Sequence, residues 1–143
     1  MLIDQISIFV ANQPGRLTEI TSLLAEAGID IRALSLADTT DFGILRLIVS
    51  DPAGAEAALK THGLTVRKTK VIAAKLDDTP GALHRVLKIL TDRGISVEYA
   101  YAFITRKNDD ACVILRVEDN ETAVQALSEN GVKLLEAEQI YKI

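Results

Sequence analysis

The residues whose types and spacing can do chemistry occur twice, as Asn12-Gln13-Pro14-Gly15-Arg16-Leu17 and as Asp78-Thr79-Pro80-Gly81-Ala82-Leu83. Each follows an apolar run that alternates and precedes one with helical spacing, so each reads as a strand-to-helix turn. Proline suits the first helical position, where its missing N–H would be unpaired anyway. The adjacent glycine lets a ligand approach the free backbone N–H groups, and the helix dipole makes that place favourable for a carboxylate or phosphate. The competing reading is that Pro-Gly only starts a helix; a second copy at the same register weakens it. Asn12 can donate to a ligand carboxylate or accept from its ammonium, because a primary amide does both, whereas an ionised Asp78 only accepts. The second turn therefore suits an ammonium better, and the two turns need not be equivalent. Arg16 can pair with a carboxylate, but its counterpart is Ala82, and arginines in a first helical turn are mostly just solvated.

Other chemistry finds little support. His62, beside Gly63 at a helix end, and His84, early in a helix, have no acidic or nucleophilic partner in sequence. There is no Gly-rich phosphate loop and no Ser-His-Asp or Cys-His arrangement, so catalysis is not expected. The single Cys112, within ACVILRV, reads as a strand residue and cannot make an internal disulfide; no metal and no cofactor are expected. With 16 Lys+Arg against 20 Asp+Glu, the net charge of -4 offers no basic field for nucleic acid, and aromatic residues for base stacking are few. The start, MLIDQISIFVANQPG, lacks a basic segment, and Asp4, Gln5 and Ser7 break its apolar run before signal-peptide or membrane-span length. A soluble, cytoplasmic protein with no membrane association is the expectation.

The turns are positioned by an internal repeat. ISIFVANQPGRLTEITSLLAEAGIDI lies over IAAKLDDTPGALHRVLKILTDRGISV without a gap, matching Pro14 with Pro80, Leu24 with Leu90 and Gly28 with Gly94. Alternating Ile6, Ile8 and Val10, and Ile72, Ala74 and Leu76, predict first strands. Leu17, Ile20, Leu24 and Ala27, and Leu83, Val86, Leu87 and Leu90, predict amphipathic helices closed by left-handed Gly28 and Gly94. The segments IDIRALSLA and ISVEYAYAFI read as second strands, the polar stretches DTTDFG and TRKNDD as hairpin turns, and GILRLIVS and ACVILRV as third strands. Second helices start at Asp51-Pro52 and Asp119-Asn120 and close at Gly63 and Gly131, with LTVRK and VKLL as fourth strands. The fold class is thus α+β: two ferredoxin-like βαββαβ repeats, residues 1–70 and 71–143, with antiparallel sheets side by side. The final EAEQIYKI extends a strand or forms a helical turn. Tyr99, Tyr101 and Phe103 alternate where the first repeat has Ala33, Ser35 and Ala37; core packing beneath the helices ranks ahead of a ligand lining. Ile44, Arg46 and Ile48, with Phe9, Leu34 and Leu36 on neighbouring strands, make an outward face apolar enough to predict a homodimer.

Both halves resemble the ACT domain, the small regulatory fold of amino-acid metabolism. The likeness rests on Asp or Asn two residues before Pro-Gly and Leu two residues after it, the following helix, and Gly28-Ile29-Asp30-Ile31 or Gly94-Ile95-Ser96-Val97; it covers essentially the whole chain. The resemblance implies a ligand site where two domains meet, formed by Asn12 through Leu17 and Asp78 through Leu83. It adds Ile29, Asp30, Ile31, Ile95, Ser96 and Val97 as secondary candidates. It also implies an amino-acid-binding regulatory or sensor protein whose ligand, a free amino acid, changes association with itself or a partner. The alternatives are a regulatory subunit of an amino-acid or acyl-CoA metabolic enzyme, and an oligomerisation module that binds no ligand. The first half is similar to the ACT portion of the acetolactate synthase small subunit, which continues differently afterwards, so the complete second repeat favours a tandem ACT protein. An acylphosphatase-like enzyme on this fold lacks a matching site here.

Overall fold

A computed structural model describes residues 1–38, 41–104 and 111–142. The elements run β1 (Leu2–Ala11), α1 (Arg16–Glu26), β2 (Ile31–Asp38), β3 (Phe42–Val49), α2 (Pro52–Thr61), β4 (Val66–Leu76), α3 (Ala82–Asp92), β5 (Val97–Ile104), β6 (Ala111–Val117), α4 (Asn120–Glu129) and α5 (Ala137–Tyr141). This is the α+β, twice-repeated order expected from the sequence. Thr39 and Thr40 of the first hairpin turn, and residues 105–110 of the second, lie outside the described residues. The chain divides into two compact units, Asp4–Thr69, and Lys70–Ile143 together with Met1–Ile3. Among the described residues no helix is long and apolar enough to cross a membrane.

In the first unit β3 lies between β1 and β2, antiparallel to both, and the register pairs Ile6 with Leu47 and Ile8 with Leu45. Paired residues share a face, so these four form an apolar floor. Ile20 and Leu24 of α1 and Ala55 and Leu59 of α2 close over it. In the second unit β6 lies between β4 and β5; Ile72, Ala74, Val113 and Leu115 form the floor, under Val86 and Leu90 of α3 and Ala123 and Leu127 of α4. Each large aliphatic side chain so buried contributes about 1.5–3 kcal/mol.

The helix ends follow from local hydrogen bonding. Past α1, Gly28 adopts φ 71°, letting its N–H reach the Ala25 carbonyl at 3.0 Å and the Ile29 N–H reach that of Leu24 at 2.9 Å. Gly94 does the same after α3, with Ile95 donating to Leu90 at 2.9 Å. This left-handed closure satisfies carbonyls the helix leaves orphaned. The starts of α2 and α4 are capped by carboxylates, Asp51 accepting from the Gly54 N–H at 3.0 Å and Asp119 from the Thr122 N–H at 3.1 Å. The Thr122 hydroxyl and then its N–H hold the exposed Asp119 carboxyl below the usual carboxylate range.

Three expectations meet the strand register here. LTVRK runs as strand straight into the first strand of the next repeat, as the absence of Gly and Pro from TVRKTKVIAAKL implies: Val66–Leu76 is one continuous strand. VKLL makes only a short antiparallel bridge, Leu134 opposite Ala74, with Lys75 donating to Lys133 and Leu135 to Ala73, both at 2.8 Å. The capping box of Glu136 and Gln139 then turns the chain into α5, which decides EAEQIYKI in favour of a helix.

The third expectation, on the second strands, is corrected. A register shift between Val97 and Tyr99 puts Val97 opposite Val117, in the core, but Tyr99 opposite Arg116. Tyr101 and Phe103 follow, opposite Ile114 and Cys112, so the aromatic stripe lies on the face away from α3 and α4 and is half-buried there. It is not core beneath the helices. A bulge between Ile31 and Ala33 acts likewise in β2: Leu34 and Leu36 fall opposite Leu47 and Leu45, on the helix side. They do not share a face with Phe9, which stays outward opposite Ile44, 45% exposed. Ile48, expected outward and exposed, is fully buried.

Cys112 yields a prediction. Its thiol is fully buried, and burial pushes its pKa from 9.0 up to about 12. The native protein is expected to resist alkylation and to react only as it unfolds. Because the folded pKa is the higher, the thiol's contribution to stability is whole below pH 9.0 and is lost as pH rises toward about 12. Urea unfolding across that window, compared with Cys112→Ala, checks this; equal slopes for the two proteins would contradict it.

Candidate functional site

The first turn begins where β1 ends. Asn12 donates its backbone N–H to the Asp41 carbonyl at 3.3 Å, tying the loop to the start of β3, and the Gln13 N–H returns to Ala11 at 2.8 Å. Gly15 then adopts φ 87°, ψ -6°, and the helix starts only at Arg16. Proline is therefore two residues ahead of the helix rather than its first residue, because the left-handed glycine interrupts the run of helical dihedrals. The Arg16 N–H reaches the Gln13 carbonyl at 3.4 Å, and the Glu19 N–H donates to Gly15 at 2.9 Å. Between them the N–H groups of Leu17 and Thr18 find no acceptor among the described residues, and no side chain caps the helix.

The second turn repeats this arrangement. Gly81 has φ 89°, Ala82 donates to Thr79 at 3.3 Å and Arg85 to Gly81 at 3.0 Å, leaving the N–H groups of Leu83 and His84 in the same condition. A Cβ built on either glycine would meet nothing within 4 Å. Open space thus lies over two uncapped helix starts, each with N–H groups and a positive dipole end.

Around the first start, Asn12, Gln13, Pro14 and Gly15 are exposed, Arg16 is half-buried and Leu17 is exposed. The Arg16 guanidinium is engaged by Glu19 at 3.2 Å, so it is not an isolated cation awaiting a ligand. Around the second, Asp78, Thr79, Pro80, Gly81 and Leu83 are exposed and Ala82 is half-buried. His84 is exposed beside the turn, while His62 caps α2 with its Nδ1 2.9 Å from the Ala58 carbonyl. Among the described residues no group of three or more His, Cys, Asp or Glu side chains could hold a metal ion.

The secondary candidates lie elsewhere. Ile29 is in the core, Ile31 is half-buried, and Asp30 is pinned: its N–H donates to Ser50 Oγ at 2.9 Å, its carbonyl accepts from the Ser50 N–H at 2.9 Å, and its carboxylate pairs with Arg32. Ile95, Ser96 and Val97 line an open groove of about 460 Å³ with Leu87, Thr91 and Gly94. Leu87 and Thr91 escaped the sequence reading, in which Leu87 was only a member of the buried stripe. In each unit an 11-residue helix separates the Pro-Gly turn from the second-strand start, a distance of about 16 Å along its axis. No unit brings its own two groups together.

A family model described as an ACT domain pair matches residues 1–143. No curated protein matches the chain. Among solved structures, protein BT0572 from Bacteroides thetaiotaomicron is 42% identical, with a TM-score of 0.94, covering 100% of this chain and 98% of that one. The ligand-free regulatory subunit of aspartate kinase from Thermus thermophilus is 17% identical, with a TM-score of 0.62 and coverage of 91% and 94%. Its counterpart from Thermus flavus is 18% identical, with a TM-score of 0.61 and coverage of 88% and 90%. At such identity the last two show the fold alone.

The turn geometry is testable through Gly81. Since a side chain there has room but the wrong dihedrals, Gly81→Val is expected to lose about 1–2 kcal/mol in urea unfolding, and Gly81→Asn distinctly less. Equal losses would argue against a left-handed requirement.

Proposed function

The chain belongs to the family of ACT domain pairs, and from that premise we propose that it is a cytoplasmic amino-acid-binding regulatory protein whose ligand alters its association with itself or with a partner. The observation that carries this reading is the duplicated turn: a left-handed glycine, open space above it, and two N–H groups at an uncapped helix start. A ligand carboxylate fits over the N–H groups of Leu17 and Thr18 or of Leu83 and His84. Its ammonium falls to Asn12 or to Asp78, of which the carboxylate of Asp78 is the stronger acceptor. The ligand side chain is met by a second-strand start from another domain, Asp30 and Ile31 beside the buried Ile29 or Ile95 to Val97, because neither unit supplies both parts from within itself. Such a site regulates only if the ligand prefers one association state over the other.

A regulatory subunit of a metabolic enzyme is the second reading. It is favoured by the exposed apolar positions at the turns, Leu17 and Leu83, at 40% and 43%, which offer contact area to a partner.

The test is thermal shift of the purified protein against each proteinogenic amino acid at millimolar concentration, repeated with Gly15→Leu, Gly81→Leu, Asn12→Ala and Asp78→Ala. A ligand at 100 times its Kd stabilises the native state by about 2.7 kcal/mol. The expected result is at least one hit, abolished by the variants of one turn that still unfold cooperatively. No shift with any amino acid from a folded sample would overturn the reading.

A further inference from the structure

We infer that the groove at the end of α3 is a subsite for an aliphatic side chain, so that the ligand it serves is an amino acid with a hydrocarbon-like side chain; this rests on the amino-acid-binding reading and names the class of ligand within it. The groove measures about 460 Å³ and is lined by Leu87, Thr91, Gly94, Ile95, Ser96 and Val97. That volume falls within the roughly 300–1,000 Å³ of small-molecule sites. Leu87, Ile95 and Val97 are half-buried and packed against the core of the second unit, so the apolar floor is already held in place. Above it the space is clear, since a Cβ built on Gly94 would meet nothing within 4 Å. None of the six lining residues is titratable or aromatic.

The class of ligand follows from polar groups that are already engaged. The Thr91 hydroxyl donates to the Leu87 carbonyl at 3.0 Å. The Leu90 carbonyl accepts from the N–H groups of Arg93 at 3.1 Å and Ile95 at 2.9 Å, and the Thr91 carbonyl accepts from that of Gly94 at 2.9 Å. The charges next to the lining residues in the chain are paired: Lys88 with Asp92 at 3.1 Å, Arg93 with Glu129 at 2.7 Å, and Glu98 with Arg116 at 3.6 Å. A charged ligand side chain laid in the groove would shed water without gaining a counter-ion, a cost that a hydrocarbon does not carry. An acidic one would also meet the negative end of the α3 dipole. The first unit differs at the matching positions. In the repeat register Leu87, Thr91 and Ser96 correspond to Thr21, Ala25 and Asp30. There Ile29 is core and the Asp30 carboxylate pairs with Arg32. The aliphatic subsite therefore belongs to the second unit.

Calorimetric titration with each of the proteinogenic amino acids tests this, on the parent protein and on Ser96→Asp and Leu87→Thr, which copy Asp30 and Thr21 of the first repeat. Removing one buried methylene from a ligand lowers affinity about tenfold or more, so leucine, isoleucine or methionine is expected to bind at least about tenfold more tightly than alanine. Ser96→Asp, which sets an unpaired carboxylate beside the bound hydrocarbon, is expected to weaken that ligand by about tenfold or more. Should Ser96→Asp no longer unfold cooperatively, Leu87→Thr decides, with the same loss expected. Methyl NMR of the parent protein during the titration is expected to show shifts at Leu87, Ile95 and Val97. A tightest ligand with a charged, amide or aromatic side chain, an aliphatic ligand indifferent to these substitutions, or one that leaves those methyl signals in place would overturn the inference while amino-acid binding stands. A folded protein that binds no amino acid at all would overturn both.

Discussion

Everything in each unit depends on burying one face of an antiparallel sheet under two helices. In the first unit Ile20 and Leu24 descend onto Ile6, Ile8, Leu45 and Leu47; in the second Val86 and Leu90 descend onto Ile72, Ala74, Val113 and Leu115. This contact sets the direction of α1 and α3, and so places each Pro-Gly turn at one end of its sheet and each second-strand start at the other. Within one unit the two groups stay an 11-residue helix apart, which is a consequence of core packing in a βαββαβ unit.

The turns themselves are built with little side-chain chemistry. Their distinguishing property is a glycine near φ +90° that stops the chain from continuing the helix backward and removes any Cβ from the ground above. What results is a pair of donors and a dipole end, a polarity that suits an anion, beside side chains that differ between the units, Asn12 against Asp78 and Arg16 against Ala82.

The two units are copies in outline and opposites in their second strands. Each has a bulge at the start of that strand, which swaps the faces of the residues beyond it. In β2 the large residues, Leu34 and Leu36, fall on the helix side and the small ones, Ala33, Ser35 and Ala37, on the other; in β5 the small Ala100 and Ala102 face the helix side and Tyr99, Tyr101 and Phe103 the other. The same backbone device therefore presents an aliphatic edge in one unit and an aromatic face in the other. The frames are alike while the surfaces of the second strands differ.

Much of the fold is legible in the sequence because its signals are local. Helical spacing, the closing glycines at 28 and 94, the aspartate caps at 51 and 119, and the ungapped repeat each depend on neighbours within a few residues, so they identify the elements and their order. The Pro-Gly turns are legible for the same reason, though a proline before a glycine does not reveal that the glycine turns left-handed and moves the helix start to Arg16 and Ala82. Strand facing is not local. A bulge adds one residue to one strand, and only pairing with β3 or β6 shows that it has done so; alternation read along the chain therefore assigned Leu34, Leu36 and the aromatic stripe to the wrong faces. The sequence by itself determined the two repeats, their elements and the two Pro-Gly turns. Tertiary structure decided which side of each sheet its second strand presents and which edge was left bare, because those depend on hydrogen-bond register between strands distant in the chain.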